Sequence, residues 1–141
     1  MPRGFHAHDF GRLLDRTREA AVGTIGIRVL AGGALSGTEV RHAVAVPSVD
    51  PIASGPDYGA DVRQANRLEA LVREGHARSL IEAALRFAIA NDAMSTVLVG
   101  YSSLEHLEYA AACVNKGPLP RPALDRLSAL WQAQSAEADT P

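Results

Sequence analysis

The stretch Ser95–Ala111, STVLVGYSSLEHLEYAA, holds the residue types best suited to gripping a ligand. A short apolar run, Thr96–Val99, breaks at Gly100. Tyr101, Ser102 and Ser103 follow, and then a segment rich in Leu, Ala and Glu. This order predicts a strand, a tight turn and a helix start. Such a junction aims backbone N–H groups and the positive end of a helix dipole beyond the strand, which suits an anion. His106 falls in the first turn of that helix, where it either touches a phosphate or stands on the surface. A second glycine-rich turn, Ala31–Gly37 (AGGALSG), follows another apolar run. It lacks the Gly-Lys-Ser/Thr of a P-loop and is not GxGxxG. A plain tight turn at a strand end is the simpler reading. Its position matters more, because ligands bind outside the carboxyl ends of parallel strands.

The other reactive side chains point to no chemistry of their own. His6 and His8 form an HxH without a third close ligand, and a zinc site needs three or four, so no metal site is expected. His76 reads as a solvated turn residue. Ser36 and Ser48 have no GxSxG elbow around them, so a hydrolase triad is unsupported. Cys113 lies on an Ala-rich helix face with no evident base and reads as a packing residue. Arg28 sits inside an apolar run, where an unpaired charge is costly. It must therefore reach a carboxylate, a phosphate or solvent at the strand end. Lys116, the only lysine, follows a helix.

The elements that must position these residues alternate between helix and strand. Residues 1–8 read as a loose arm. Asp9 can cap a helix to about Ala21, with Phe10, Leu13 and Leu14 on one side and Gly23 at its end. Thr24–Leu30 (TIGIRVL) predicts a buried strand rich in β-branched residues. Residues 32–60, with Pro47, Pro51, Pro56 and five glycines, form a long excursion, either a surface loop or a lid. Asp61–Glu74 predicts a polar helix ending at Gly75. Ser79 and Glu82, spaced as a capping box, open a helix whose broad apolar coverage requires burial on more than one side. Strand Thr96–Val99 is uniformly apolar, as in a parallel strand covered on both faces. A helix from Ser102 or Ser103 to about Asn115 follows, and Ser102 and Glu105 again have capping-box spacing. Gly117 and Pro118 stop it. A last helix spans about residues 122–134, with Leu124, Leu127, Leu130 and Trp131 inward, and residues 135–141 form a frayed tail.

Two strands joined by a helical crossover imply parallel pairing and an α/β class. Two apolar parallel strands cannot by themselves make a sheet with covered faces and protected edges. Either copies associate to complete the sheet, or further strands belong with it. The totals fit one soluble domain or a piece of a larger one: 141 residues, 47% hydrophobic, 21% charged, net charge -2. Scattered arginines without a basic aromatic patch exclude a nucleic-acid binder. No 18-residue apolar run or signal-peptide core suggests a membrane or secretory role. One cysteine excludes an internal disulfide and fits the reducing cytoplasm.

Several ordered segments resemble the C-terminal part of the aldo/keto reductase family. GIRVLAGGALSG, Gly26–Gly37, looks like the family's AYSPLAGGLLTG at the end of its seventh strand. Ser95–Ala110 is similar to STVLVGARSPEQLEEN, the eighth strand and helix, through Ser95–Gly100, Ser103, Glu105, Leu107 and Glu108. SLIEAALRFAIAN resembles the family's AALRWVL segment, and GPLPRPALDRLSAL its last helix. The resemblance covers about residues 9–132. It implies an α/β fold: the C-terminal portion of a (β/α)8 TIM barrel, two parallel strands with flanking helices, the barrel incomplete in this chain.

By that resemblance the parent reaction is hydride transfer between NAD(P)(H) and a carbonyl or sugar substrate. The family's catalytic Asp, Tyr, Lys and His have no counterpart here: Lys116 follows the wrong element, and Tyr58, Tyr101 and Tyr109 lack the context. No catalytic residue is therefore assigned, and the chain alone is expected to be inactive. What the resemblance implies is part of a cofactor cradle: the turn Leu30–Gly33, with Gly32 and Gly33, facing the pyrophosphate through backbone N–H groups, Gly100, Tyr101, Ser102, Ser103 and His106 around the adenosine phosphate, and Arg28 as a further cofactor-binding residue. Ile27 stands where the family often has an aromatic against the nicotinamide, and Arg28 where it has Ser. Ser102 replaces its Arg, His106 its Gln and Ala110 its Asn. The change at Ser102 leaves NAD and NADP undistinguished. The partners expected are the nicotinamide cofactor and either the missing barrel half or further copies of the chain. The alternative is a non-catalytic nucleotide-binding or self-associating module that completes its sheet by oligomerisation.

Overall fold

The computed structural model describes residues 12–46 and 56–138, with the side chains of 135–138 excepted. The elements, in order, are helix α1 (Leu13–Glu19), strand β1 (Ile25–Gly26), a tight 3-10 segment (Ala31–Ser36) and helix α2 (Tyr58–Asn66). A second 3-10 turn (Arg67–Glu69) leads into helix α3 (Ala70–Arg73). Helix α4 (Leu80–Ala88), strand β2 (Thr96–Val97), helix α5 (Leu104–Val114) and helix α6 (Arg121–Ala138) complete the order. The helix–strand alternation follows the sequence reading. The expected arm, residues 1–8, and the cap at Asp9 lie outside the described residues.

The two strands pair in parallel, Ile25 with Thr96 and Gly26 with Val97. Their register is pinned just before the ladder. The Thr24 N–H donates to Ser95 Oγ at 3.0 Å, and the Ser95 N–H donates back to Thr24 Oγ1 at 3.0 Å. Thr24 Oγ1 also donates to the Ala93 carbonyl at 2.5 Å. Gly26 fits here because a Cβ would lie 3.2 Å from both the Met94 sulfur and a Val97 methyl.

The strands are shorter and barer than expected. Thr24–Leu30 and Thr96–Val99 each retain only two paired residues. Ile25, Ile27 and Leu98 are exposed, while Gly26 and Val97 are half-buried. The expectation of coverage on both faces is therefore overturned for one face. The reason is mechanical: among the described residues there is no third strand. Among the described residues each strand is laddered on one edge, and the side that Ile25, Ile27 and Leu98 share is exposed. Two-stranded pairings are marginal on their own.

The helices pack well. α4 touches two clusters, as its broad apolar coverage requires. Ala83 meets Leu71, Ala77 and Leu127, with Leu68 and Leu130 alongside. Leu85 meets Ala110 and Cys113, with Val29, Leu30, Ile81 and Val99 alongside. Cys113, 1% exposed, is the packing residue it was read as. Burial pushes its thiol pKa up, which keeps it protonated.

Helix ends follow local chemistry. Ser79 accepts the Glu82 N–H at 3.0 Å, as the capping box predicts. The Glu82 carboxylate, however, turns inward to Lys116 at 2.5 Å and Arg86 at 3.0 Å. Arg86 also donates to the Gly117 and Pro118 carbonyls, which ties the end of α5 to α4. The lone lysine thus closes a structural ion network. Of the two expected starts, Ser103 caps α5 and accepts the His106 N–H at 3.3 Å, while the capping-box spacing from Ser102 goes unused. α2 begins at Tyr58, three residues before the expected Asp61, because Asp57 caps it through the Ala60 N–H at 2.7 Å. α6 runs four residues past its expected end at Gln134. Gly75 and Gly117, both at positive φ, end their helices as expected.

Candidate functional site

The two stretches that could hold an anion converge on one cleft of about 410 Å³, within the range of small-molecule sites. Leu30, Gly32 and Gly33 form one wall, and Val99, Gly100 and His106 another. Five of the nine expected site residues therefore line it. Arg28, Tyr101, Ser102 and Ser103 do not. Arg28 is exposed in a turn beyond β1 rather than inside a strand, with φ 57°. Tyr101 is exposed, and Ser103 is occupied as a helix cap.

The glycine turn is tightly wound. Ala31 (φ 51°), Gly32 (φ 65°) and Gly33 (φ 107°) run consecutively at positive φ, and only the glycines bear this without steric cost. The Ala31 N–H donates to the Arg28 carbonyl and the Gly33 N–H to the Leu30 carbonyl, each at 2.8 Å. These two donors are spent within the turn. Backbone strain of this kind clusters at binding sites.

The α5 end is also partly self-satisfied. Ser103 takes the His106 N–H. The Glu105 carboxylate is held below the usual carboxylate range, chiefly by a hydrogen bond from the Ser103 hydroxyl, then by its own backbone N–H and the nearby His106 and His42 rings. The anion already sitting at this helix start belongs to the chain itself.

The cleft has a wall that the sequence did not reveal. Ser36, Thr38, Arg41, His42 and Tyr58 reach it from the excursion and the first turn of α2, and Tyr109 from α5. The Arg41 guanidinium donates through Nη1 to the Gly32 carbonyl at 3.0 Å and through Nε to the Val46 carbonyl at 2.9 Å. It also stacks on Tyr58, 5.0 Å from the ring centroid. A Cβ on Gly33 would sit 3.1 Å from the Tyr58 hydroxyl and 3.6 Å from Arg41 Nη1, so the glycine leaves room for both. His42 meets His106 edge-on, with centroids 5.6 Å apart. Tyr109 shares a 2.7 Å hydrogen bond with Ser79 Oγ. No periodicity marks these residues, because they come from a loop and two separate helices. A lone arginine between glycines and prolines was the one available signal.

Elsewhere, His76 lies 3.7 Å from Glu74, which itself clamps Arg126 of α6. His6 and His8 are outside the described residues. Among the described residues no three His, Cys, Asp or Glu side chains gather at one point, and no helix is long and apolar enough to cross a membrane.

The parallel strand pair, the glycine turn after the first strand and the helix start after the second are features of one side of an α/β barrel. The model of the aldo/keto reductase family matches residues 11–132, and the chain belongs to that family. The family is one of oxidoreductases on a TIM barrel that generally use NAD(P)H. The described residues hold two parallel strands and no closed ring, which fits a part of such a barrel. A comparison with curated proteins finds no match.

Proposed function

We propose that this chain is the seventh- and eighth-strand portion of an NAD(P)-dependent aldo/keto reductase, that its cleft holds part of the cofactor, and that it does not catalyse hydride transfer unaided. The observation that carries this reading is the convergence of Leu30, Gly32 and Gly33 with Gly100 and His106 on one cleft within the family-matched span. The residues fit the group: Gly32 and Gly33 present backbone without side chains to the cleft, and the space where a Gly100 side chain would stand is open for 4 Å. When bound, the cofactor supplies the hydride acceptor or donor. The chain's own residues supply binding: the glycine turn borders the pyrophosphate, and His106 and Gly100 border the adenosine end. No Asp, Tyr, Lys and His tetrad is assigned, because Lys116 is committed to Glu82, and Tyr109 is bonded to Ser79. NAD and NADP are not distinguished. A reducing cytoplasmic setting suits the single buried Cys113.

The test has two arms. Calorimetry should show NADP or NAD binding to the purified chain. An NADPH oxidation assay over a carbonyl panel should give no turnover above blank, and clear turnover would overturn the claim of inactivity.

The exposed face of Ile25, Ile27 and Leu98 and the open strand edges favour a second reading, in which the chain pairs with the remaining barrel strands or with copies of itself. Sedimentation should then show a discrete oligomer, or a complex when the rest of a barrel is supplied. A monomer that stays soluble and unpaired in both cases removes this reading.

A further inference from the structure

We propose that the apolar cavity between α1, α4 and α6 is a binding site for an organic ammonium ion, a cationic amine carried on a small apolar body. The cavity shares no lining residue with the glycine-turn cleft, so this site stands apart from the nucleotide reading above.

The first support is the cavity itself. It measures about 780 Å³, larger than the cleft and within the range of small-molecule sites. Packed interiors hold few voids larger than a water molecule. Leu14 of α1, Ile27 after β1, Leu80 and Ala84 of α4 and Trp131 of α6 stand in its walls. Every lining residue is apolar except Asp15, Arg18, Asn91 and Asp92. α1 runs along this space and buries none of its seven residues. A helix that short is not stable by itself, so it gains from a body that fills the space beside Leu14.

The second support is charge. Asp15 and Arg18 neutralise one another at 3.7 Å. Asn91 Oδ1 accepts the Ala93 N–H at 2.9 Å. Asp92 is exposed and forms no ion pair among the described residues. The polar rim therefore keeps one uncompensated negative charge, and Arg18, its one cation, is paired. An anionic ligand would meet the Asp92 carboxylate with no spare cation to hold it, and a neutral ligand would leave that carboxylate unused.

The third support is aromatic. Phe87 and Trp131 both line the cavity and meet edge to face, with centroids 5.4 Å apart at 84°. They are 41% and 42% exposed, so ring surface stays open to a ligand. Phe87 lies near the end of α4, on the approach to Asp92. Aromatic faces and a carboxylate together attract an ammonium, while the apolar walls take the rest of the molecule.

The experiment is a fluorescence titration of the purified chain, whose single tryptophan, Trp131, stands in the cavity wall. The probes are phenylpropylammonium, phenylpropanol and phenylpropanoate, which share a body and differ in charge. The ammonium ion is expected to change the Trp131 emission saturably and to bind about threefold or more tighter than the alcohol, with the carboxylate weakest. Asp92→Asn should bring the ammonium to within about twofold of the alcohol and leave the alcohol unchanged. Ala84→Phe, which fills the cavity from α4, should weaken ammonium and alcohol alike by about fivefold or more. No saturable change with any probe, a carboxylate bound as tightly as the ammonium, or an ammonium preference that survives Asp92→Asn would overturn the proposal. So would wild-type affinity in Ala84→Phe. If circular dichroism shows that Ala84→Phe has lost its fold, Asp92→Asn, at an exposed position, decides. An emission that follows protein concentration instead of probe, with a dimer in sedimentation, would give the cavity to a second copy and overturn the proposal as well.

Discussion

Leu85 on α4 and Ile27 just after β1 are both aliphatic residues in apolar runs, yet the first is 0% exposed and the second 66%. The helical layer around Leu85 is closed. Its apolar side chains meet Cys113 and Ala110, and its buried carboxylate, Glu82, finds two cations. The strand pair has a covered side toward the helices and a bare side carrying Ile25, Ile27 and Leu98. The difference lies in what each element needs. A helix satisfies its own backbone and has only one stripe to bury. A parallel strand needs partners on two edges and cover on two faces, and the described residues provide half of each.

Leu85→Ala tests the closed side and should have the largest effect. It removes a fully buried side chain and should cost about 2–5 kcal/mol in urea unfolding. A cost below about 1 kcal/mol would mean that the helical layer is not the stabilising part of the chain.

The ion network gives the next largest effect, read through pH. Burial alone would raise the Glu82 carboxyl pKa, but the hydrogen bonds from Lys116 and Arg86 outweigh it and hold it below the usual 4.5. The unfolded chain then binds more protons than the folded one just below that value. The network's contribution is present above about pH 4.5 and is lost as the pH falls through the lower folded value. Lys116→Met should move the onset of acid destabilisation to higher pH, as followed by thermal melts across pH 3–6. An unchanged onset would show that Lys116 does not hold Glu82 in solution.

The smallest effect should come from the bare face. Ile27→Ser should change the stability of the isolated chain by no more than about 0.5 kcal/mol. If it instead costs as much as Leu85→Ala and shifts the sedimentation coefficient, the face is covered in solution by another copy, and the contrast between the two regions belongs to the monomer alone.

Much of the helical layer was legible because its signals are local. Ser79 three residues before Glu82 marks a cap, glycine past the last apolar turn marks an end, and 3.6-residue spacing picks out the two buried sides of α4. The Asp57 cap was hidden within a run of Pro and Gly that reads as loop. The choice of Ser103 over Ser102 depended on one residue of backbone geometry that spacing does not resolve. For the site, the glycine turn and the Gly100–His106 segment could be found because each is a contiguous stretch. Arg41, His42, Tyr58 and Tyr109 could not, because they meet only when a loop and two helices fold against one another.

The sequence by itself determined the order of helices and strands, the parallel pairing implied by a helical crossover, the burial of Cys113 and the family resemblance. These depend on residue type and short-range spacing. The tertiary structure decided that each strand pairs over only two residues, that Lys116 belongs to Glu82, and that a guanidinium from the excursion stands over the glycine turn. These depend on which partners a residue meets across the chain: strand length is set by the neighbours available to ladder and cover it, and the site's charge by a contact between residues that no local pattern links.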